Sequence, residues 1–228
     1  MKKESFSDER VLEAWRRNAQ PWARAVRGEK IESRSLVTNQ AIIDAVLSLS
    51  PATALDIGCG EGWLARALAD EGIDVLGVDA VPELIEQAKR AGGAEFRAMS
   101  YEEIAAGKLD GQFDAVIANF SLIGKESVER VLSRVPELLA DGGTLLIQTL
   151  HPVSACGDLP YVDAWREGSW AGIDESFSDP APWYFRTMET WIELIIRSGF
   201  SDPEIREPLH PATGQPASVI FVARAAEA

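Results

Sequence analysis

Cysteine and histidine are scarce in this chain of 228 residues, which has two of each. Cys59 and Cys156 have the spacing of neither a metal site nor a disulfide framework, so we expect no metal centre. Lysine and arginine number 22 against 36 acidic residues, which gives a formal net charge of −14. Because nucleic-acid binding needs a basic surface that displaces counterions, this balance argues against a nucleic-acid partner and favours a small-molecule substrate.

Long apolar runs are also missing. No stretch approaches the roughly 18 unbroken apolar residues of a membrane span, and the first ten residues lack the apolar centre of a signal peptide. We therefore expect a cytoplasmic protein with no membrane partner. With 46% hydrophobic residues, a chain of this length should form one α/β domain with a cap rather than two full domains.

The most informative segment is residues 54–66, ALDIGCGEGWLAR. A short apolar run is followed by alternating glycines and then by apolar residues at helical spacing, which predicts a strand, a tight loop and a helix. Glycine lets a ligand approach the main chain, and the free amides at a helix start favour an anionic group. The next apolar run ends at Asp79, which is positioned to accept both hydroxyls of a ribose. The segment therefore predicts a nucleotide-binding unit.

The glycine spacing separates two classes of nucleotide. In the dinucleotide pattern G-x-G-x-x-G the third glycine would fall on Trp63, whose ring does not suit close helix packing. The pattern D-x-G-x-G-x-G, which begins at Asp56, resembles instead the first motif of the class I, Rossmann-like S-adenosylmethionine-dependent methyltransferases. In that family the loop holds the methionine part of the cofactor, and an acid at the position of Asp79 holds the ribose.

Later segments fit the same resemblance. Residues 113–119 form a near-continuous apolar strand, as expected where both faces are covered, and resemble the family's fourth motif, whose end lies beside the transferred methyl group. A helix over residues 128–139, stopped by Asp-Gly-Gly at residues 141–143, and a fifth strand over residues 144–149 are also typical. In the family an acid usually follows the third strand and contacts adenine, whereas this chain has Ser100 and Tyr101 there.

The resemblance implies a doubly wound α/β fold with a mostly parallel seven-stranded sheet, an antiparallel last strand and a helical N-terminal cap. The last two strands are expected at residues 204–207 and 218–223. For Asn119 a turn cap is the alternative interpretation, and for Cys59 a small residue in a tight loop. The residues expected to contact S-adenosylmethionine, or its product S-adenosylhomocysteine, are Arg34, Asp56, Gly58, Cys59, Gly60, Gly62, Asp79, Ala80, Ser100, Tyr101, Asn119 and Phe120.

The N-terminal arm, residues 1–34, has more basic than acidic residues, unlike the rest of the chain. An amphipathic helix is expected in its first half and should break at Pro21. Two interpretations remain open. The arm is either a solvated helix docked on an acidic body, or a mobile lid in which Trp15 or Trp22 shields the cofactor and Arg34 pairs with its carboxylate.

Residues 35–228 are expected to form the catalytic domain, with an aromatic-rich insertion at about residues 151–188. A loop of that length in a compact domain is either functional or disordered. Because its aromatic content argues against disorder, we assign the insertion to substrate enclosure.

The two histidines are the candidate catalytic residues. His151 and His210 both follow predicted strands at the carboxyl side of the sheet, where ligands bind in open α/β folds. Either side chain could accept a proton near neutral pH, although His-Pro after a strand also suits a plain turn. Tyr161, Tyr184 and Arg186 are weaker candidates, and Arg186 would suit an acceptor that carries a carboxylate or a phosphate.

The sequence thus predicts an enzyme that transfers a methyl group in line to a small molecule whose identity it does not reveal. One alternative is a nucleotide-binding enzyme of another reaction class, such as an NAD-dependent oxidoreductase. The other is a non-catalytic protein that binds S-adenosylmethionine. Neither the acceptor atom nor the oligomeric state follows from the sequence.

Overall fold

The computed structural model describes residues 6–173 and 175–226. Its strands, numbered in chain order, are β1 (Thr53–Ile57), β2 (Asp74–Asp79), β3 (Glu95–Ala98), β4 (Phe113–Asn119), β5 (Leu139–Thr149), β6 (Ala164–Arg166), β7 (Trp183–Phe185), β8 (Glu204–Arg206) and β9 (Val219–Arg224). Seven of them form one sheet in the order β3-β2-β1-β4-β5-β9-β8. Strands β1 to β5 pair in parallel, whereas β9 runs antiparallel to both β5 and β8. The predicted fold class is confirmed.

Helices cover both faces of this sheet. The α-helices are α1 (Asp8–Arg27), α2 (Asn39–Leu47), α3 (Trp63–Asp70), α4 (Pro82–Ala91), α5 (Tyr101–Ala105), α6 (Glu126–Arg134), α7 (Pro152–Cys156) and α8 (Met188–Arg197). Because side chains alternate along a strand, Leu55 of β1 packs into a core with α5, α6 and α8. Ala54 packs into a second core with α2, α3 and α4. None of the helices described reaches the length and apolarity that crossing a membrane requires.

The first helix runs through Pro21 without a break, so that prediction is wrong. Proline removes one helical hydrogen bond, but alanines on both sides of it are buried. Ala19 and Ala23 pack against Val81 and Leu84 at the start of α4. Burial of both halves against the same surface therefore keeps the helix continuous across the proline.

A π-helix, Arg34–Thr38, precedes α2. Two further segments differ from the sequence-based prediction. The helix expected over residues 128–139 begins earlier, as α6, and ends in a 3-10 turn, Val135–Leu138, because Pro136 has no amide hydrogen for the α-helical pattern. The Asp-Gly-Gly segment is an irregularity inside β5 rather than a stop before it, and the register with β4 shifts there.

The insertion contains short regular elements where an irregular segment was expected. Helix α7 follows β5 directly, and β6 and β7 form a two-stranded antiparallel sheet separate from the main one. Tyr184 of β7 donates its amide to Ile123 O at 2.8 Å. This bond ties the insertion to the loop that follows β4.

Candidate functional site

A cavity of about 440 Å³ lies at the carboxyl ends of β1, β2 and β4. Its floor is the loop between β1 and α3, and its outer walls come from α1, α7 and the insertion. Small-molecule sites in proteins have volumes of about 300–1,000 Å³ and occur at this edge of parallel sheets. The cavity is therefore the candidate functional site.

The glycine loop has a backbone conformation that favours glycine. Gly58 has φ +76° and donates its amide to Val78 O at 2.7 Å. A Cβ atom on Gly58 would lie 2.4 Å from the Cβ of Ser121. Gly60 has φ +59° and donates its amide to Asp79 Oδ2 at 2.9 Å. The loop is thus held against the ends of β2 and β4 with its main chain facing the cavity.

A buried carboxylate, Asp56, and a partly buried one, Asp79, lie at the ends of β1 and β2 next to this loop. Asp79 accepts from Gly60 N and, at 2.8 Å, from Val81 N, whereas Asp56 Oδ2 has no hydrogen-bond partner within the described chain. Burial, with a smaller contribution from Asp79, raises the pKa of Asp56 to about 7. Burial outweighs the two amide bonds and raises the pKa of Asp79 to about 6. Above these pKa values the two carboxylates carry negative charge, and Asp56 Oδ2 receives no hydrogen bond that offsets it from the described residues.

These raised pKa values predict a pH-dependent stability. The pKa values of Asp56 and Asp79 in the folded protein both lie above the value of about 3.9 for an unfolded chain. At a pH between the unfolded and the folded values, the folded protein therefore binds more protons than the unfolded chain. The free energy of unfolding should therefore fall, by about 4 kcal/mol, as the pH rises from about 5 to about 8. Urea unfolding across this range measures the effect. The slope of the free energy of unfolding against pH should become smaller in an Asp56→Asn variant. An unchanged slope would contradict the prediction.

Arg34 lies across the cavity, between two tryptophan rings. Its guanidinium carbon is 4.9 Å from the ring centroid of Trp63 and 5.5 Å from that of Trp22. Its Nε donates to Asn39 Oδ1 at 3.2 Å, while its buried Nη2 has no hydrogen-bond partner in the part of the chain described. Burial lowers the pKa of Arg34 to about 10, although Glu61 opposes the shift. The guanidinium therefore stays charged and has a donor left for an anion.

The end of β4 contributes an unsatisfied acceptor and a strained residue. Asn119 Oδ1 is buried without a partner among the described residues. Phe120 has φ +52° and donates its amide to Gln148 O at 2.8 Å. A left-handed conformation is costly for a residue with a side chain and is found preferentially at functional sites. Both residues line the cavity.

Most of the residues predicted to contact the cofactor border the cavity. Asp56 and Gly62 are not in its wall, and Gly62, with φ +82°, instead allows α3 to start against Phe96. Ser100 is not in the wall either, because its hydroxyl caps α5 by accepting from Glu103 N at 3.2 Å. The predicted residues that border the cavity are Arg34, Gly58, Cys59, Gly60, Asp79, Ala80, Tyr101, Asn119 and Phe120.

Two acids near the cavity escaped the sequence analysis. Glu102 borders the cavity, whereas Ser100, which was expected to do so, does not. The sequence signal for it was an acidic residue two positions after Ser100. Glu61 is buried at the start of α3 and pairs with Arg27 Nε and Arg66 Nη2, both at 2.9 Å. The partner from α1 is 34 residues away in sequence, so no local pattern indicated this pair.

Neither histidine borders the cavity. His151 is buried and its Nε2 lies 2.7 Å from Glu207 Oε1. His210 lies in a turn, where its Nδ1 accepts from Ala212 N at 3.3 Å. The geometry thus favours structural roles over proton transfer for both. Of the weaker candidates, Tyr184 and Arg186 border the cavity and Tyr161 does not.

The arm is docked over the cavity through polar contacts in the first half of α1. The carboxylate of Asp8 accepts from Lys125 N at 2.7 Å and from Ser127 N at 2.6 Å. Arg10 and Arg17 both pair with Asp179 of the insertion. Trp15 and Trp22 of this helix line the cavity. The arm and the insertion together therefore roof the site.

Comparison with known proteins agrees with this geometry. Residues 54–143, from β1 into β5, match a family model described as a methyltransferase domain. A ubiquinone biosynthesis O-methyltransferase of Xanthomonas oryzae is 33% identical over 127 residues, which are 54% of this chain and 53% of that protein. This chain thus matches about half the length of that relative.

Solved structures share the fold at lower identity. A 1,6-didemethyltoxoflavin-N1-methyltransferase of Burkholderia thailandensis, whose structure holds its substrate and S-adenosylhomocysteine, has a TM-score of 0.66 at 20% identity, and the alignment covers 100% of this chain and 94% of that one. An S-adenosylmethionine-dependent methyltransferase of Mesorhizobium loti has a TM-score of 0.59 at 24% identity, and the alignment covers 79% of this chain and 96% of that one. Residues 54–143 are thus similar to a methyltransferase domain, and the chain shares its fold with S-adenosylmethionine-dependent methyltransferases.

Proposed function

We propose that this chain is an enzyme that transfers the methyl group of S-adenosylmethionine to a small-molecule acceptor and releases S-adenosylhomocysteine. The observation that carries the proposal is a pair of buried polar atoms of cavity-lining residues that lack partners within the described residues, Asn119 Oδ1 and Arg34 Nη2. Leaving such groups unsatisfied is costly. A ligand with a cationic and an anionic group would satisfy them together.

The methionine part of the cofactor has both of those groups. Its ammonium suits the buried amide oxygen of Asn119. Asp56 lies outside the cavity wall and, when ionised, would favour the cation through its charge. Its carboxylate suits the free donor of Arg34, since guanidinium and carboxylate form strong charge-assisted hydrogen bonds. A nicotinamide dinucleotide has anionic phosphates for Arg34 but no ammonium group to donate to the Asn119 oxygen, so the oxidoreductase alternative is not favoured.

The remainder of the cofactor fits the neighbouring wall. The carboxylate of Asp79 has lone pairs left for the ribose hydroxyls, in addition to its two amide bonds. Ala80, Val81 and Leu84 give an apolar surface beside it for the adenine ring. Glu102, also in the wall, is a candidate acceptor for the adenine amino group.

The chain's residues would mainly orient the reactants and exclude water. The sulfonium supplies an activated methyl group, so the acceptor atom has to be held in line with the carbon–sulfur bond. Phe120 and the roof formed by α1 and the insertion border the space next to the glycine loop. Positioning of this kind contributes about 7–11 kcal/mol to lowering a barrier, and a closed roof keeps water from competing.

The direct test is calorimetric titration with S-adenosylhomocysteine, with NADH as the control ligand. We expect binding of S-adenosylhomocysteine and none of NADH, followed by cofactor turnover when acceptors are supplied. Binding without turnover for any acceptor in a metabolite extract would favour the non-catalytic alternative. No binding by folded, ligand-free protein would overturn the cofactor assignment.

Arg34 provides a more specific test of how the cofactor is oriented. Replacing Arg34 with glutamine removes the charge that faces the cofactor carboxylate, so the dissociation constant for S-adenosylhomocysteine should rise about tenfold or more. The affinity for 5′-methylthioadenosine, which lacks the amino-acid part, should stay within about twofold of wild type. Equal losses for both ligands would contradict the assignment of Arg34 to the carboxylate.

We also retain as proposals the boundaries between an arm at residues 1–34 and a catalytic domain at residues 35–228, with residues 151–188 enclosing the substrate. The wall contributions of Trp15, Trp22, Trp170 and Trp183 support this division. The lack of a nucleic-acid partner is proposed on the acidic net charge of −14, and the cytoplasmic location stays a prediction from the sequence.

A further inference from the structure

Aromatic side chains border the cavity on elements other than the glycine loop and the end of β2, and we call the space beside six of them the outer half. These six come from separate parts of the chain: the arm, the end of β4 and the insertion, which includes β7. The rings that border this half are Trp15, Phe120, Trp170, Trp183, Tyr184 and Phe185. Because they converge from separate elements on one space, they offer ring faces and edges to a molecule between them.

These rings are held in place by one another and by buried cations. The ring centroids of Trp15 and Trp170 lie 5.6 Å apart in an edge-to-face arrangement. This contact joins the arm to the insertion. The guanidinium of Arg186 lies 4.8 Å from the Tyr184 ring, and that of Arg166 lies 3.5 Å from the Phe185 ring. A preformed aromatic wall loses little entropy when a ligand enters it.

The charged groups of this half are already engaged. Arg186 donates to Gly124 O at 2.9 Å and to Lys125 O at 3.1 Å. Asp8 accepts the amides of Lys125 and Ser127. An acceptor with a net charge would have to compete with these bonds, because the described charged side chains on this side are committed to the main chain. The earlier suggestion that Arg186 binds a carboxylate or phosphate is therefore not favoured.

We propose that the methyl acceptor is an uncharged molecule with a planar aromatic ring, which stacks against the aromatic wall of the outer cavity. Aromatic pairs contribute about 0.5–1.5 kcal/mol each beyond the burial of apolar area, so several such contacts discriminate strongly between a flat ring and a saturated one. This inference rests on the proposed function and specifies the class of its substrate.

The test is calorimetry on the full chain saturated with S-adenosylhomocysteine, using three probes of similar outline: 2-naphthol, its saturated analogue decahydro-2-naphthol, and anionic 2-naphthoate. We expect 2-naphthol to bind at least about tenfold more tightly than either of the others. Equal affinity of the saturated alcohol would overturn the aromatic part of the proposal, and equal or tighter binding of naphthoate would overturn the uncharged part. Absence of naphthol binding by cofactor-saturated protein would overturn both.

Two variants locate the probe. Trp183→Leu keeps an apolar side chain in the wall but removes the ring, so the preference for 2-naphthol should fall about fivefold or more. Trp165→Leu is the matched control, since Trp165 lies on the neighbouring strand and does not border the cavity. Should Trp183→Leu fail to fold, Trp170→Leu replaces it. An unchanged preference in a folded wall variant would contradict the location.

S-adenosylhomocysteine binding, measured first in every protein, separates the two proposals. If the wild-type protein does not bind S-adenosylhomocysteine, the result counts against the proposed function itself. If it binds S-adenosylhomocysteine but shows no preference for 2-naphthol, the result counts only against the aromatic acceptor.

Discussion

Replacing Gly58 with alanine is expected to abolish measurable cofactor binding and to lower the free energy of unfolding by about 2–5 kcal/mol. The new Cβ would lie 2.4 Å from Ser121 Cβ and 2.9 Å from the Tyr101 hydroxyl oxygen. Alanine also disfavours the φ of +76° found there. Either the loop or the end of β4 would have to move, and both form the cofactor site. Urea unfolding and calorimetry with S-adenosylhomocysteine measure the two effects.

Gly72→Ala is the matched control for this variant. Gly72 has φ +89° but no atom within 4 Å of its added Cβ, so it experiences the backbone strain without the steric clash. We expect a loss of only about 1–2 kcal/mol in stability and unchanged cofactor affinity. If Gly58→Ala behaves like this control, the close contact with Ser121 does not shape the site.

Replacing Asp79 with alanine is expected to weaken the binding of S-adenosylhomocysteine by about ten- to a hundredfold, which corresponds to about 1.5–3 kcal/mol. The change removes the charged acceptor for the ribose hydroxyls and leaves Gly60 N without its present partner. Because the ribose is common to both ligands, 5′-methylthioadenosine should lose affinity to a similar degree. This pattern differs from that expected for Arg34→Gln, which should affect only the ligand with the amino-acid part.

Asp74→Ala serves as the control for the change of charge. Asp74 begins the same strand that Asp79 ends, and its side chain is exposed. An affinity loss of equal size in both variants would mean that the net charge of the protein, and not the ribose contact, is responsible. Unchanged affinity in Asp79→Ala would remove this residue from the proposed site.

The sequence alone was sufficient to predict the strand, loop and helix around Gly58 and Gly60, and the acid at Asp79. The reason is that these features are local. The left-handed conformations of the loop need glycine at particular positions, and the periods of strands and helices appear directly in the spacing of apolar residues. The seven-stranded sheet followed from the same local patterns combined with the family resemblance.

Features that depend on distant parts of the chain were missed or left open. Helix α1 continues through Pro21 because Ala19 and Ala23 are buried against α4, and burial against a distant helix does not show in local helix propensity. His151 was a plausible base by its position after β5, but its pairing with Glu207, 56 residues away, is part of the tertiary structure.

The sequence by itself therefore determined the fold class and the principal cofactor loop, since both are encoded in short-range patterns of glycine, charge and apolar spacing. Only the tertiary structure decided which polar atoms remain without partners, such as Arg34 Nη2 and Asn119 Oδ1, and which rings meet above them. An unsatisfied atom or a shared cavity wall is a property of all the neighbouring segments together, and residues such as Arg10 and Asp179 meet across 169 positions of sequence. Folding has to bring those segments together before their combined chemistry exists.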